Sequence, residues 1–244
     1  MLEKVISRSD SAVDVTPALC GSRNISNLTR ANAASFGYKA PMSQYVVLHP
    51  SHPQRRLLEG AARIMRAGGL VVYPTDTTYA LGCQIGDKAA LDRMRRLRQL
   101  GNRHFFTLCC RDLSEISKYA RVDNRNYRVL KRHTPGPFTF LLPATREAPR
   151  RLVHPKRKTI GLRVPGNAIA FGLIESLGEP MMTTTMRLPG QEAPHTDADA
   201  IREAFELGVD LILDGGHAGI EPTTVVDLNG DPPTVVREGA GKLQ

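Results

Sequence analysis

The segment PTDTTYALG at residues 74–82 sets three hydroxyls (Thr75, Thr77, Thr78), one carboxylate (Asp76) and one phenol (Tyr79) within five residues. Threonine hydroxyls donate to and accept from a carboxylate or another hydroxyl, Asp76 attracts an ammonium, and the Tyr79 ring walls a pocket. The set therefore suits a small amino-acid ligand. It follows the strand-like LVVY at 70–73, and a strand-to-helix turn is expected here, because such turns leave side chains facing a cleft. The competing reading is a turn of the Asx or ST type, in which the same hydroxyls are spent on the local backbone.

A second chemistry is carried by cations. Arg146, Arg150, Arg151, Lys156, Arg157 and Lys158 fall in one stretch, and Arg93, Arg95 and Arg96 in another. Together they can rim a groove and follow a phosphate backbone by counterion release. No aromatic residue interleaves with them in sequence, so recognition of duplex or tRNA-like RNA through shape and backbone is favoured over base stacking; a solvated loop and helix face is the alternative. The net charge is +9, of which residues 1–42 supply two (five Lys/Arg against three Asp/Glu), leaving +7 for the rest. Such an excess favours nucleotides or RNA as partners.

Several chemistries find no support. There is no GxxxxGK[ST] loop and no GxGxxG fingerprint, and GAGK at 239–242 has no helix after it to bind an anion. His49 and His52 each precede a proline and lack a third ligand, so no metal site is expected. Cys20, Cys83, Cys109 and Cys110 form no CxxC pair; Cys109 and Cys110, in FFTLCC, read as small buried residues of a reduced cytoplasmic protein.

These groups need a scaffold. With 244 residues, 41% hydrophobic, one globular domain is expected at residues 43–244. No apolar run approaches the ~20 residues of a membrane span, so a soluble protein without a membrane partner is expected. Residues 1–42 lack periodicity and are rich in Ser, Asn and Ala. They read as an extension outside the core, either disordered or the product of a misassigned upstream start.

Leu57, Ala61, Ile64 and Met65 recur at helical spacing until Gly68-Gly69 stops the helix before LVVY. Asp87 caps a second helix bearing Leu91, Met94 and Leu97, followed by the strand-like FFTLCC at 105–110. Asp123 starts a helix ending near His133, and PFTFLLP (137–143) and TIGLRVP (159–165) read as strands. NAIAFGLIESLG (167–178) reads as a helix with a glycine stop, PMMTTTM as a strand, Asp197 to Leu207 as a helix, VDLIL as a strand, and the last segments as a hairpin around Asn229-Gly230. The fold class is α/β or α+β with a mixed, twisted sheet.

The pattern strand-PT(D/E)TxYGLG, here with Ala80 at a usual glycine, resembles the YrdC/TsaC family. The likeness continues in order through RRLRQL, IGLRVP, EPMMTTTMRLPG, DGG, TTVVDL and VREGA, covering about residues 45–240. It implies a YrdC-like fold of a twisted sheet flanked by helices with a basic concave groove. It also implies L-threonylcarbamoyladenylate synthase activity for tRNA modification, with ATP (carrying Mg²⁺), L-threonine and bicarbonate as substrates, no tightly bound cofactor, and partner proteins of that modification pathway. By resemblance, Thr75, Tyr79, Arg163, Thr183 and Thr224 line the threonine pocket, and Arg98, Thr185 and Arg237 meet the nucleotide. The family's Lys-x-Arg pair becomes Arg98 and Leu100 here, and its Ser-Ala-Asn run becomes Thr185-Met186-Arg187. The catalytic set is thus Arg98, Thr185 and Arg187, with Arg187 a candidate for the cation lost at Leu100. LRQL followed by TTTMRLPG resembles the YciO-like branch, which implies weak or altered synthase activity, or duplex-RNA or tRNA binding through Arg150, Arg151, Lys156, Arg157 and Lys158 without chemistry.

Overall fold

The computed structural model describes residues 42–101, 104–187, 191, 193–205 and 207–243; the extension expected at 1–42 lies, apart from Met42, outside them, as does Cys20. Ten strands and six helices follow one another: β1 (Gln44–Val47), α1 (Arg55–Arg66), β2 (Val71–Pro74), β3 (Tyr79–Gln84), α2 (Lys88–Leu97), β4 (Thr107–Cys109), α3 (Leu113–Tyr119), α4 (Asn124–His133), β5 (Phe138–Pro143), β6 (Thr159–Arg163), α5 (Ala168–Leu177), β7 (Met181–Thr185), α6 (Ala198–Phe205), β8 (Leu211–Asp214), β9 (Thr224–Asp227) and β10 (Thr234–Arg237). The strands join in one mixed sheet, ordered β1-β8-β2-β3-β7-β4-β6-β5-β9-β10. Among the described residues no helix is long and apolar enough to cross a membrane.

Caps decide where the helices begin and end. Asp87 accepts from the Ala90 N–H, Asp123 from the Asn126 N–H, and Asn167 from Ile169 and Ala170, each meeting donors that the first turn leaves unpaired. Gly178, with φ 79°, closes α5 in the left-handed region. The unforeseen α3 starts the same way, at Asp112.

The strand-to-helix turn expected after LVVY is instead a hairpin: β2 pairs antiparallel with β3, Tyr73 opposite Ala80 and Pro74 opposite Tyr79. Tyr79, Leu81 and Cys83 enter one core and Ala80 the other, so the segment alternates like a strand buried on both faces. Gly82 makes room for the neighbouring strand's aromatic, since a Cβ there would lie 2.8 Å from Tyr73 Cε1.

Alternation also divides the helices. α2, α3, α4 and α6 bury Leu91, Ile116, Leu130 and Ile201 against Leu81, Leu108, Phe140, Leu162 and Val226. On the opposite face, α1 and α5 bury Leu58, Met65, Leu173 and Ile174 against Val71, Tyr73, Met181 and Leu213. This second core takes Cys109 from β4 and nothing from β6, β5 or β9. That half of the two-helix face lies outside both cores.

Candidate functional site

What occupies the uncovered half follows from the register. Thr183 stands opposite Thr107, and Thr107 opposite Gly161, so the three share a face. Thr185 and Arg163 lie on the same face two residues along their strands, and Thr139 stands beside Arg163 on β5. The floor across β7, β4, β6 and β5 thus carries Thr183, Thr185, Thr107, Gly161, Arg163 and Thr139, with Leu141 opposite Gly161, while the alternate residues Leu108, Leu162 and Phe140 fill the core below. Thr139 Oγ1 meets Thr223 Oγ1 at 2.9 Å. Arg237 of the edge strand β10 donates to the Thr223 carbonyl (2.7 Å) and hydroxyl (3.1 Å).

Arg163 forms an ion pair with Asp76, carried over the face by the β2–β3 turn. Both side chains are largely buried, at 8% and 14% exposure, yet among the described residues Arg163 Nε and Asp76 Oδ2 have no hydrogen-bond partner. Beside them, Tyr73 donates its phenolic proton to Thr183 Oγ1 at 2.9 Å. Burial pushes the Cys109 thiol up to about 12, which removes it as a nucleophile at neutral pH.

The β2–β3 turn is held by its own hydroxyl. Thr75 Oγ1 accepts from the N–H groups of Thr77 and Thr78 and donates to the Thr78 carbonyl at 2.7 Å, so the ST-turn reading describes this side chain. Tyr79 belongs to the four-helix core: its phenol donates to the Gly216 carbonyl at 2.7 Å and accepts from the Gly215 N–H. Burial raises its pKa well above the usual tyrosine value. Thr224 is also on the core side, fully buried, donating to the Gly241 carbonyl at 2.6 Å. Of the five residues that resemblance assigns to threonine, Arg163 and Thr183 therefore share the polar floor. Thr75 supports the turn above it, and Tyr79 and Thr224 lie beneath it.

At the Thr185 end of β7 a cationic cluster rises. Arg98, the C-cap of α2, is 4% exposed; among the described residues its guanidinium has no carboxylate partner, and its Nε has no hydrogen bond. Burial, and then the Arg187 charge, pull its pKa down to about 10. His104, Nε2 to Thr184 Oγ1 at 3.1 Å, is held down at about 4 by burial and by Arg98, Arg187 and Arg95, so it is neutral at pH 7. His195, its Nε2 unpartnered, is lowered by burial and by Arg98 against the opposing pull of Asp197. The Arg187 charge helps to lower the pKa of Arg98, His104 and Arg237 alike. Leu100 packs instead against the four-helix core.

A buried cation such as Arg98, with no carboxylate partner among the described residues and with other positive charge nearby, is unfavourable. Such an arrangement is what a polyanion would relieve. Of the seven buried side-chain atoms without partners among the described residues, five belong to Asp76, Arg163, Arg95, Arg98 and His195, so unmet polar demand is concentrated at these two adjoining patches. No group of three His, Cys, Asp or Glu side chains among the described residues can hold a metal ion.

Arg150, Arg151, Lys156, Arg157 and Lys158 are all exposed and lie away from the floor, on the β5–β6 connection. Arg151 ties this connection to α2 through Asp92 at 3.2 Å. His104, His195, Thr107, Thr139 and Thr223 had escaped sequence reading. For the strand threonines Thr107 and Thr139 the available signal was apolar-polar alternation in FTL (106–108) and FTF (138–140).

The model of the Sua5/YciO/YrdC family, described as telomere recombination, matches residues 63–239. YciO of Escherichia coli K12, an uncharacterised protein, is 54% identical over 203 residues, 83% of this chain and 98% of its own length; the solved E. coli YciO structure superposes with a TM-score of 0.80. A threonylcarbamoyl-AMP synthase of Chromobacterium violaceum is 33% identical over 73% of this chain and 92% of its own. The structure of Pyrococcus abyssi Sua5 complexed with L-threonine is similar at 26% identity and a TM-score of 0.75, covering 81% of this chain and 58% of that one. With the fold, the polar floor and these likenesses in agreement, the chain belongs to the Sua5/YciO/YrdC family.

Proposed function

We propose that this protein is a nucleotidyltransferase of the threonylcarbamoyl-AMP synthase type, forming L-threonylcarbamoyl-AMP and pyrophosphate from MgATP, L-threonine and bicarbonate. The observation that carries the reading is the pairing of two demands unmet among the described residues: a buried Arg98 with no counterion, and a floor where Arg163 Nε and Asp76 Oδ2 lack partners beside the Thr183 hydroxyl. The first suits a triphosphate and the second a zwitterionic amino acid.

In this reading Arg163 takes the threonine carboxylate while Asp76 orients the amino group. The threonine ammonium first gives a proton to solvent; the resulting neutral amine attacks bicarbonate and water leaves, giving a carbamate. A carbamate oxygen then attacks the α-phosphorus, the bond from that phosphorus to the bridging oxygen breaks, and pyrophosphate departs with the electron pair. Arg98 and Arg187 stabilise the charge gathering on the leaving group, with the Thr185 hydroxyl on a phosphate oxygen and Arg237 beside the nucleotide. Catalysis is then positioning and electrostatic stabilisation. The electrostatic contact of Arg187 with Arg98, and the withdrawal of Leu100 into the core, support Arg187 as the replacement for the cation missing at Leu100. The measurement is pyrophosphate release from ATP by the purified protein, expected to need both threonine and bicarbonate. No release above an enzyme-free control overturns the reading.

A second reading, RNA binding without chemistry, is favoured by the five exposed cations at 150–158. It predicts salt-sensitive RNA association weakened by charge reversal at Arg150, Arg151, Arg157 and Lys158; unchanged affinity counts against it.

A further inference from the structure

The sequence places no Phe, Tyr or Trp within the basic stretch, but the fold brings one to it. Phe105, just before β4, stacks on His154 of the β5–β6 connection, ring centroids 4.6 Å apart and planes 25° apart. Phe105 is 43% exposed, whereas its neighbour Phe106 is 1% exposed. A large apolar ring is thus presented at the surface on a second ring.

The support beneath it is fixed. His154 Nδ1 accepts from the Lys156 and Arg157 N–H groups at 3.2 and 3.1 Å. Its backbone N–H donates to Thr159 and its carbonyl accepts from Lys158. Lys158 sits at φ 56°, a left-handed conformation that a non-glycine residue adopts at some cost. This closed turn locks the imidazole and projects Lys156, Arg157 and Lys158 outward around it.

We infer that the Phe105–His154 stack is a platform for one unpaired nucleobase of a single-stranded nucleic acid whose phosphates run along Lys156, Arg157 and Lys158. Every base offers a π face to such a ring, while the cations meet the backbone. A continuous duplex keeps its bases inside the stack and cannot use the platform. The inference deepens the nucleic-acid reading of this turn and is independent of the synthase reading.

The chain contains no tryptophan, so Phe105→Trp installs a single tryptophan at the platform, excited selectively beyond the tyrosine absorption. The probes are oligonucleotides of about 12 nucleotides, as single-stranded RNA, single-stranded DNA and duplex RNA, with affinities read by anisotropy of a labelled strand at several salt concentrations. We expect single strands to bind more tightly than the duplex and to change the F105W emission on binding. Phe105→Leu should weaken single-strand binding by roughly 5- to 100-fold without altering its salt slope. The triple change of Lys156, Arg157 and Lys158 to Ala should flatten that slope by about 2. Equal RNA and DNA affinities, or a preference for either, both support a stacking platform and assign its sugar selectivity. Duplex binding as tight as single-strand binding, with F105L indifferent, overturns the platform and leaves the backbone reading standing. No binding of any probe overturns both. Pyrophosphate release by F105L reports separately on the synthase reading.

Discussion

Consider Arg98→Met. The arginine is 4% exposed, its Nε lacks a partner, and burial with the Arg187 charge brings its pKa to about 10, from an ordinary value above about 12. In the folded state the protonated form is disfavoured relative to the unfolded chain, and at pH 7 both forms are fully protonated. The penalty is therefore fully present at neutral pH and is relieved only above pH 10. At about 1.4 kcal/mol per tenfold in proton affinity the ceiling is about 3 kcal/mol; partial solvation at the pocket mouth brings the expectation to about 1–3 kcal/mol. Methionine keeps the apolar stem and drops the charge. The variant should thus melt about 2–12 °C higher than the parent without ligand, at 2–4 °C per kcal/mol for a domain of this size. Calorimetry at pH 7, with and without tripolyphosphate, reads both halves of the argument. At 100 times its Kd the anion adds about 2.7 kcal/mol to the parent, and most of that gain should vanish in the variant. A variant that melts lower than the parent and still gains full protection from tripolyphosphate refutes the picture of an anion site held open by uncompensated charge.

Other consequences are as direct. His104 has a folded pKa of about 4, below its unfolded value of about 6.5, so its contribution to stability is present above pH 6.5 and is lost as pH falls towards 4; His104→Gln should flatten that part of a plot of urea midpoint against pH. Asp76→Ala strands the buried Arg163 and should cost about 3–5 kcal/mol in denaturant unfolding, most of it recovered in Asp76→Ala with Arg163→Met. Thr75→Val removes the hydroxyl that closes the β2–β3 turn and should lose about 1–3 kcal/mol, while Thr75→Ser retains most of the stability. A Thr75→Ser protein as weak as Thr75→Val contradicts the hydroxyl's role.

The helices and the buried strands were legible because each signal is local. Asp87, Asp123 and Gly178 act as caps within a few residues of the helix they bound. The PTDTTYALG segment misled for a physical reason: its strand half is buried on both faces, so it lacks the alternation that marks a half-exposed strand, and its hydroxyls fitted a ligand pocket and a turn equally well. Register decided what spacing could not. Thr224 and Thr223 are neighbours in sequence, yet Thr224 is sealed against Gly241 while Thr223 meets Thr139 and Arg237. Long-range proximity was likewise invisible. Nothing in the chain places Phe105 beside His154, or Thr139 beside Thr223, until the sheet order brings them together.

The central claim is that one sheet face and its adjoining cation pocket hold an amino acid and a nucleotide in reacting contact. Incubating the protein with ATP, threonine and ¹³C-bicarbonate, and reading the nucleotide products by mass spectrometry, tests it most directly. The account predicts an adenylate that carries both threonine and the labelled carbon, lost when Arg163 is replaced by Met. ATP turnover yielding only unlabelled AMP, or no nucleotide product at all, would contradict it.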